Sequence, residues 1–284
     1  MKIPVSNPAA EDGHAFALRP YILFIIGIAL FFQVGAGLLV GTLGLPGVAL
    51  AQILFLGIPA LVFAARRAPG VFALLNPRAV PVRRLLAAGV MGTSIWVCLF
   101  AFLLPIQMKI WPIPEDFLQQ RARLFSGLEG PFGIAILVMS GAIIPAMCEE
   151  LIFRGILLDA FRRYWNSRRA LVWTAGLFAL FHGTLHQFLV TFVLGLIMGW
   201  MALRSSSLIP PMVYHFANNT TVLLVTAYGG DDFTRPVIGA ALFFSIVGSL
   251  LFLAASSGSP RSKTSAADAS LLSAGKMQEP RTTE

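Results

Sequence analysis

YILFIIGIALFFQVGAGLLVGTL, residues 21–43, runs for 23 positions without a charged side chain. At about 1.5 Å per residue such a run makes a helix of roughly 35 Å, longer than the ~30 Å hydrocarbon core of a bilayer. The run is too long for the hydrophobic region of a secretory signal, about 7–15 residues, and Glu11 and Asp12 offset Lys2 and Arg19 ahead of it. It reads as a retained first membrane helix, although Ala49-Leu50-Ala51 fits a cleavage pattern.

Working outward, seven more apolar stretches follow, at 45–65, 85–106, 131–158, 170–189, 190–203, 208–228 and 236–255. The fifth and sixth spans meet at a bare turn near Gln187, and the sixth is the shortest. Composition agrees. The chain is 57% hydrophobic and 12% charged, with mean hydropathy +0.78, whereas soluble domains carry about 25% charged residues. The expected fold is therefore all-α: a polytopic integral membrane protein of about eight transmembrane helices in one bundle.

The net charge of +8 does not indicate nucleic acid, because the basic residues lie between apolar runs rather than on a domain-sized face. Placing the N-terminus in the cytoplasm puts there Arg66, Arg67, Arg83, Arg84, Arg162, Arg163, Arg168, Arg169 and Arg204. It leaves Lys109, Arg121, Arg123 and Arg235 outside. That asymmetry follows the positive-inside rule and predicts both termini in the cytoplasm, for a chain in the plasma membrane of a bacterium. The organisation expected is a cytoplasmic segment at 1–20, N-terminal membrane helices at 21–130, a catalytic core at 131–228, a last helix at 229–255 and a disordered cytoplasmic tail at 256–284. Trp111 to Arg123 reads as a short interfacial segment. Glycines at 37 and 41, and at 195 and 199, have the small-xxx-small spacing of close helix packing. Cys98 and Cys148 read as small buried hydrophobes with no disulfide between them.

Ionisable groups inside spans are costly and usually functional. Here they are Glu149, Glu150 and Arg154 in span four, His182 and His186 in span five, and His215 in span seven beside Asn218 and Asn219. His14 lies outside the membrane. Glu150 and Arg154, four apart, stack on one helix face and pair. Glu149 points about 100° away, free to face the bundle interior as a general base for water. The alternative is a structural Glu–Arg pair near the interface with Glu149 solvated. His182 and His186, and His215 and Asn219, repeat the four-residue spacing, though an intramembrane His is also a common interhelical hydrogen bonder. Along the helices, Glu149, His182 and His215 lie roughly 15, 18 and 10 Å from the cytoplasmic end, which places them between the midplane and the inner face.

The order Glu149-Glu150-x-x-x-Arg154, then Phe178-x-x-x-His182, then His215-x-x-x-Asn219 resembles the CPBP family of intramembrane proteases. This is also called the Abi or CAAX-protease family, and it includes the type II prenyl-protein CAAX endopeptidases. The resemblance covers roughly 131–225 and none of the first spans or the tail. It implies Glu149 as the catalytic glutamate activating a water, His182 and His215 as the essential histidines, and Asn219 as an oxyanion holder. Glu150 and Arg154 are then the supporting pair. Family members often carry Asn where this chain has His186, which leaves the role of His186 open.

Glu149, His182 and His215 also make a three-ligand zinc set with a free position for water; the metal-free alternative uses Glu149 as general base with His and Asn polarising the scissile carbonyl. No cofactor is required by the sequence. The function expected is hydrolysis of a peptide bond in a membrane-associated protein or peptide reaching the site from the cytoplasmic side. The resemblance links this to CAAX-type processing or a bacterial equivalent such as peptide maturation, self-immunity or sorting-signal removal. The rivals are a non-enzymatic membrane binding or immunity protein and a proton-coupled transporter; bis-histidine haem ligation leaves Glu149 unexplained.

Overall fold

The structure, a computed structural model, describes residues 18–76, 80–126, 128, 130–228 and 235–255; His14 and the tail expected over 256–284 lie outside these residues. Among the described residues nine helices follow one another without a strand. They are α1 (Arg19–Leu43), α2 (Leu45–Arg67), α3 (Val82–Ile110), α4 (Glu115–Phe125) and α5 (Gly130–Tyr164), then α6 (Ser167–Phe181), α7 (Phe188–Ser205), α8 (Ile209–Tyr228) and α9 (Arg235–Ala254).

Eight of these answer to the eight expected spans, and the all-α membrane bundle is borne out. Six are long and apolar enough to cross a bilayer. The other two are α6, which has 15 residues, and α8, whose apolar surface is broken by His215, Asn218 and Asn219. The ninth, α4, is the interfacial segment anticipated between spans three and four. It is amphipathic: Phe117, Leu118 and Arg121 are half-buried, while Glu115, Asp116 and Arg123 are exposed.

α5 is the central helix. It packs on α2, α6, α7 and α8, so Ile152, Phe153, Ile156 and Leu157 are fully buried. α3 lies across α8 and α9, and α6 pairs with α7. Cys148 is buried, Cys98 partly so, and both are free thiols. Four π-helical turns interrupt the long helices: Gln52–Gly57 in α2, Leu99–Leu103 in α3, and Met139–Ile143 and Leu151–Leu157 in α5. Such turns recur at functional sites because the extra residue re-aims the side chains around it. The two in α5 flank Glu149 and Glu150.

The bundle has two unlike ends. At one, Leu18 packs with Leu158, Phe161 and Ala170, Tyr21 Oη donates to the Arg67 carbonyl at 2.8 Å, and Arg84 donates to the Ala255 carbonyl at 2.6 Å. Ser207 Oγ and the Leu208 N–H both bond the Leu74 carbonyl, at 3.0 and 2.9 Å. This tucks the start of α8 inside the bundle, where Leu208 is fully buried. The basic turns gather here. The other end holds α4 and the connection from α6 to α7.

That connection corrects two expectations. The bare turn near Gln187 is instead a six-residue link: α6 stops at Phe181, His182 caps it, and a 3-10 turn, Leu185–Gln187, leads into α7. Gly183 makes the break, at φ +68°, in the left-handed region that favours glycine. His182 and His186 therefore do not share one helix face. Of the two small-residue pairs, Gly195 and Gly199 do lie against α6, at Ala175 and Leu171, whereas Gly37 and Gly41 meet nothing.

Gly92 marks the tightest crossing of α3 on α8, since a Cβ there falls 2.4 Å from the Tyr214 carbonyl oxygen. Gly92→Val should cost about 1–3 kcal/mol through overpacking, read as thermal unfolding in detergent. Gly27→Val, at a position with nothing within 4 Å, should be near neutral. Equal stability of the two variants would show that α3 and α8 do not cross there.

Candidate active site

The Glu150–Arg154 pair forms as its spacing requires. Arg154 Nη1 donates to Glu150 Oε1 at 2.7 Å, with Glu150 fully buried and Arg154 3% exposed. The second guanidinium nitrogen donates to the Gly195 carbonyl at 3.2 Å, and the guanidinium lies 4.4 Å from the Phe178 ring centre. A desolvated cation over an aromatic face gains about 2 kcal/mol. Arg154 is thus satisfied on three sides, which a buried charge needs.

Glu150 Oε1 has a second partner, His215 Nδ1 at 2.8 Å. A carboxylate already bonded to Arg154 only accepts, so His215 donates from Nδ1, and in the neutral imidazole Nε2 is then the bare acceptor. That nitrogen faces Glu149 Oε2 at 3.9 Å. Glu149 itself is 6% exposed; its Oε1 accepts from Gln52 Nε2 at 2.7 Å, and its Oε2 is buried without a hydrogen-bond partner. Two acceptor atoms thus look at each other across a gap too wide for a direct hydrogen bond.

His182 joins through Phe178. Its Nδ1 donates to the Phe178 carbonyl at 2.8 Å, which leaves Nε2 free. The Phe178 ring meets His182 and His215 with centroids 4.8 and 5.9 Å away. Asn219 Nδ2 donates to the Gly141 carbonyl at 3.3 Å, and its Oδ1 accepts from Asn218 Nδ2 at 3.2 Å. Of the two, Asn218 is the more buried, and its Oδ1 has no partner.

His182, His186, His215, Asn218 and Asn219 all line one cavity of about 590 Å³ between α3, α7 and α8. It extends from Met198 and His215 at its floor to Arg121 and Thr226 beneath α4. Glu149 is not on its wall and sits behind His215. The site thus lies toward the α4 end, away from the basic turns. His182 lies at the far end of α6, about 22 Å along.

The sequence reading passed over three glutamines. Gln33 of α1 donates to the Phe181 carbonyl at 2.9 Å, and Gln52 of α2 holds Glu149. Gln107 of α3, fully buried, donates to the His186 carbonyl and accepts from the Leu189 and Val190 N–H groups at 2.6 and 3.2 Å. It thereby caps α7 and pins the histidine-bearing turn. The signal was a lone carboxamide inside an otherwise apolar span, which has to find a partner in the bundle.

The zinc alternative finds no support in the donor set. Among the described residues no three His, Cys, Asp or Glu side chains converge as metal ligands; His215 faces Glu149 at 3.9 Å, and Glu150 beside it is bonded to Arg154 and His215.

Residues 131–221 match the family model described as type II CAAX prenyl endopeptidase Rce1-like, in agreement with the resemblance seen in the motifs. The matched stretch holds every site residue from Glu149 to Asn219 and leaves α1–α4 and α9 outside. No curated protein and no solved structure matches the chain.

Arg154→Ala should destabilise by about 3–5 kcal/mol, since it strands a buried carboxylate. Glu150→Leu/Arg154→Leu together should recover part of that loss. Thermal unfolding in detergent measures both, and a double variant less stable than Arg154→Ala would contradict the charge-stranding account.

Proposed function

We propose that the chain is an intramembrane endopeptidase in which Glu149 and His215 together hold and activate the attacking water. The observation that carries this reading is the 3.9 Å gap between Glu149 Oε2 and His215 Nε2. Two facing acceptors repel unless a molecule with two hydrogens lies between them. A water about 2.8 Å from each subtends close to a right angle at its oxygen, near its own bond angle, so it donates to both at once. Glu149 takes one proton as the water oxygen attacks the scissile carbonyl. The Asn218–Asn219 amides supply donors for the oxyanion, and His182, whose Nδ1–H is committed to Phe178, donates to it from Nε2 only as the imidazolium. Glu149 then returns the proton to the leaving amine as the C–N bond breaks. Glu150 holds His215 in the needed tautomer, and Arg154 pairs with Glu150 at 2.7 Å.

The cavity wall is mainly apolar, with polar groups confined to a few points, which suits a membrane-associated peptide. The family match on 131–221 supports proteolysis of CAAX type. The cavity lies at the end opposite the basic turns, so the positive-inside rule puts it on the outer face. That placement supports access from the outer face, where the sequence led us to expect access from the cytoplasm, and an exported peptide as substrate, a class that includes sorting signals.

Glu149→Gln should lower kcat by about 10²–10⁴ with the fold intact. His215→Ala and His182→Ala should lower it comparably in a proteomic comparison of cleaved termini in membranes. Wild-type levels of cleavage in Glu149→Gln would end this mechanism. A strong chelator should leave the rate unchanged, and loss of activity restored by zinc would replace it. For sidedness, Arg123→Cys should react with an impermeant maleimide in intact cells while Arg168→Cys should react only after lysis; the opposite pattern would return the cavity to the cytoplasmic face.

A further inference from the structure

We propose that Arg121 and His186 form an anion-binding subsite beneath α4 that takes a carboxylate of the peptide substrate. The inference rests on the endopeptidase reading only in naming the occupant a peptide.

Three observations lead to it. First, α4 turns Phe117, Leu118 and Arg121 into the cavity, and Arg121 lies one helical turn from Phe117 on the same face. Among the described residues no Asp or Glu lines that cavity and Arg121 makes no ion pair. The acids of α4, Glu115 and Asp116, are exposed on its other face. Second, the Phe117 ring meets the His186 ring, centroids 4.4 Å apart, which brings His186 under the Arg121 face of α4. Third, His186 is 7% exposed and lines the cavity, yet its Nε2 is buried without a partner. Gln107 fixes the backbone beneath that ring.

A cation without a counter-ion and a buried ring nitrogen without a partner, at one end of an apolar cavity, are complementary to an anion with more than one acceptor atom. A carboxylate has this form: one oxygen takes the Arg121 guanidinium and the other an N–H from His186. From Met198 at the floor to Val190 near the rim is eight residues of α7, about 12 Å. A peptide with its scissile bond near His215 therefore sets the carboxylate roughly three or four extended residues away. That carboxylate is either a chain terminus or an Asp or Glu side chain.

The test is binding by full-length Glu149→Gln protein in detergent, read by fluorescence anisotropy with four labelled apolar decapeptides. One ends in a free carboxylate; one is its C-terminal amide; one is the amide with an internal Asp; one is the amide with an internal Lys. The carboxylate or the Asp peptide should bind about tenfold tighter than the neutral amide, and which of the two does so identifies the source. Arg121→Gln and His186→Ala, each made in that background, should shrink the difference to under about threefold. Arg121→Glu should turn the preference to the Lys peptide, a gain that a misfolded protein cannot show. Equal affinity for all four peptides, including no binding by any, overturns the subsite, as does a preference that survives Arg121→Gln. Failure of hydrolysis would show separately, as wild-type protein that binds these peptides and leaves them uncut.

Discussion

A carboxylate shared between a guanidinium and an imidazole, deep in a membrane bundle, is the constraint on which the site depends. Glu150 Oε1 accepts from both Arg154 and His215. In a low-dielectric interior an unmatched charge costs several kcal/mol, so this cluster forms only with α5 and α8 in register. Phe178 closes it by stacking on Arg154 while its edge meets both histidine rings. Stability and chemistry thus share their atoms: the bond that neutralises Glu150 also fixes the His215 tautomer.

The helices outside the matched family segment supply the remaining constraints. Gln33, Gln52 and Gln107 each reach from α1, α2 or α3 into the half of the molecule that carries the histidines and acids. An amide is suited to this task. It offers both a donor and an acceptor without the desolvation cost of a charge, so one side chain can take a helix-end carbonyl and helix-start N–H groups together, as Gln107 does. The N-terminal helices thus act as a frame for the half that carries the histidines and acids.

How much of this was legible in the sequence follows from the range of the interactions. The spans were readable because their apolarity is local and continuous, and the Glu150–Arg154 pair because four-residue spacing survives even the π turn between them. The grouping of Glu149, His182 and His215 was inferred from the scarcity of polar residues in apolar helices; both histidine rings lie against Phe178, and Glu149 lies beside His215. The break at His182 was missed because apolar residues continue on both sides of it, and only Gly183 with its positive φ marks the end of α6. Counting residues from helix starts assumes that every helix begins at the same level. α8 does not; Ser207 and Leu208 are tied to Leu74 inside the bundle. The glutamines were silent because a carboxamide in a span announces a need for a partner without naming it.

The distribution of unmet hydrogen-bonding capacity gives the last step. Inside a bilayer an unpaired polar atom has no water to fall back on, so the places where a bundle tolerates one are informative. In this chain several gather at one locality. Gln52 Oε1, Glu149 Oε2 and Glu150 Oε2 lie around the carboxylates, and His186 Nε2, Tyr214 Oη and Asn218 Oδ1 belong to residues of the cavity wall. A purely structural polar core would pair these atoms with one another, as Glu150, Arg154 and His215 do. Atoms held apart by rigid helices and left unpaired on and beside the cavity wall suit a guest with its own donors and acceptors, and a hydrated peptide bond would be such a guest. The same scaffold that removes water from Arg154 and Glu150 therefore leaves, a few ångströms away, the one region where water and an amide are better partners than anything the protein itself provides.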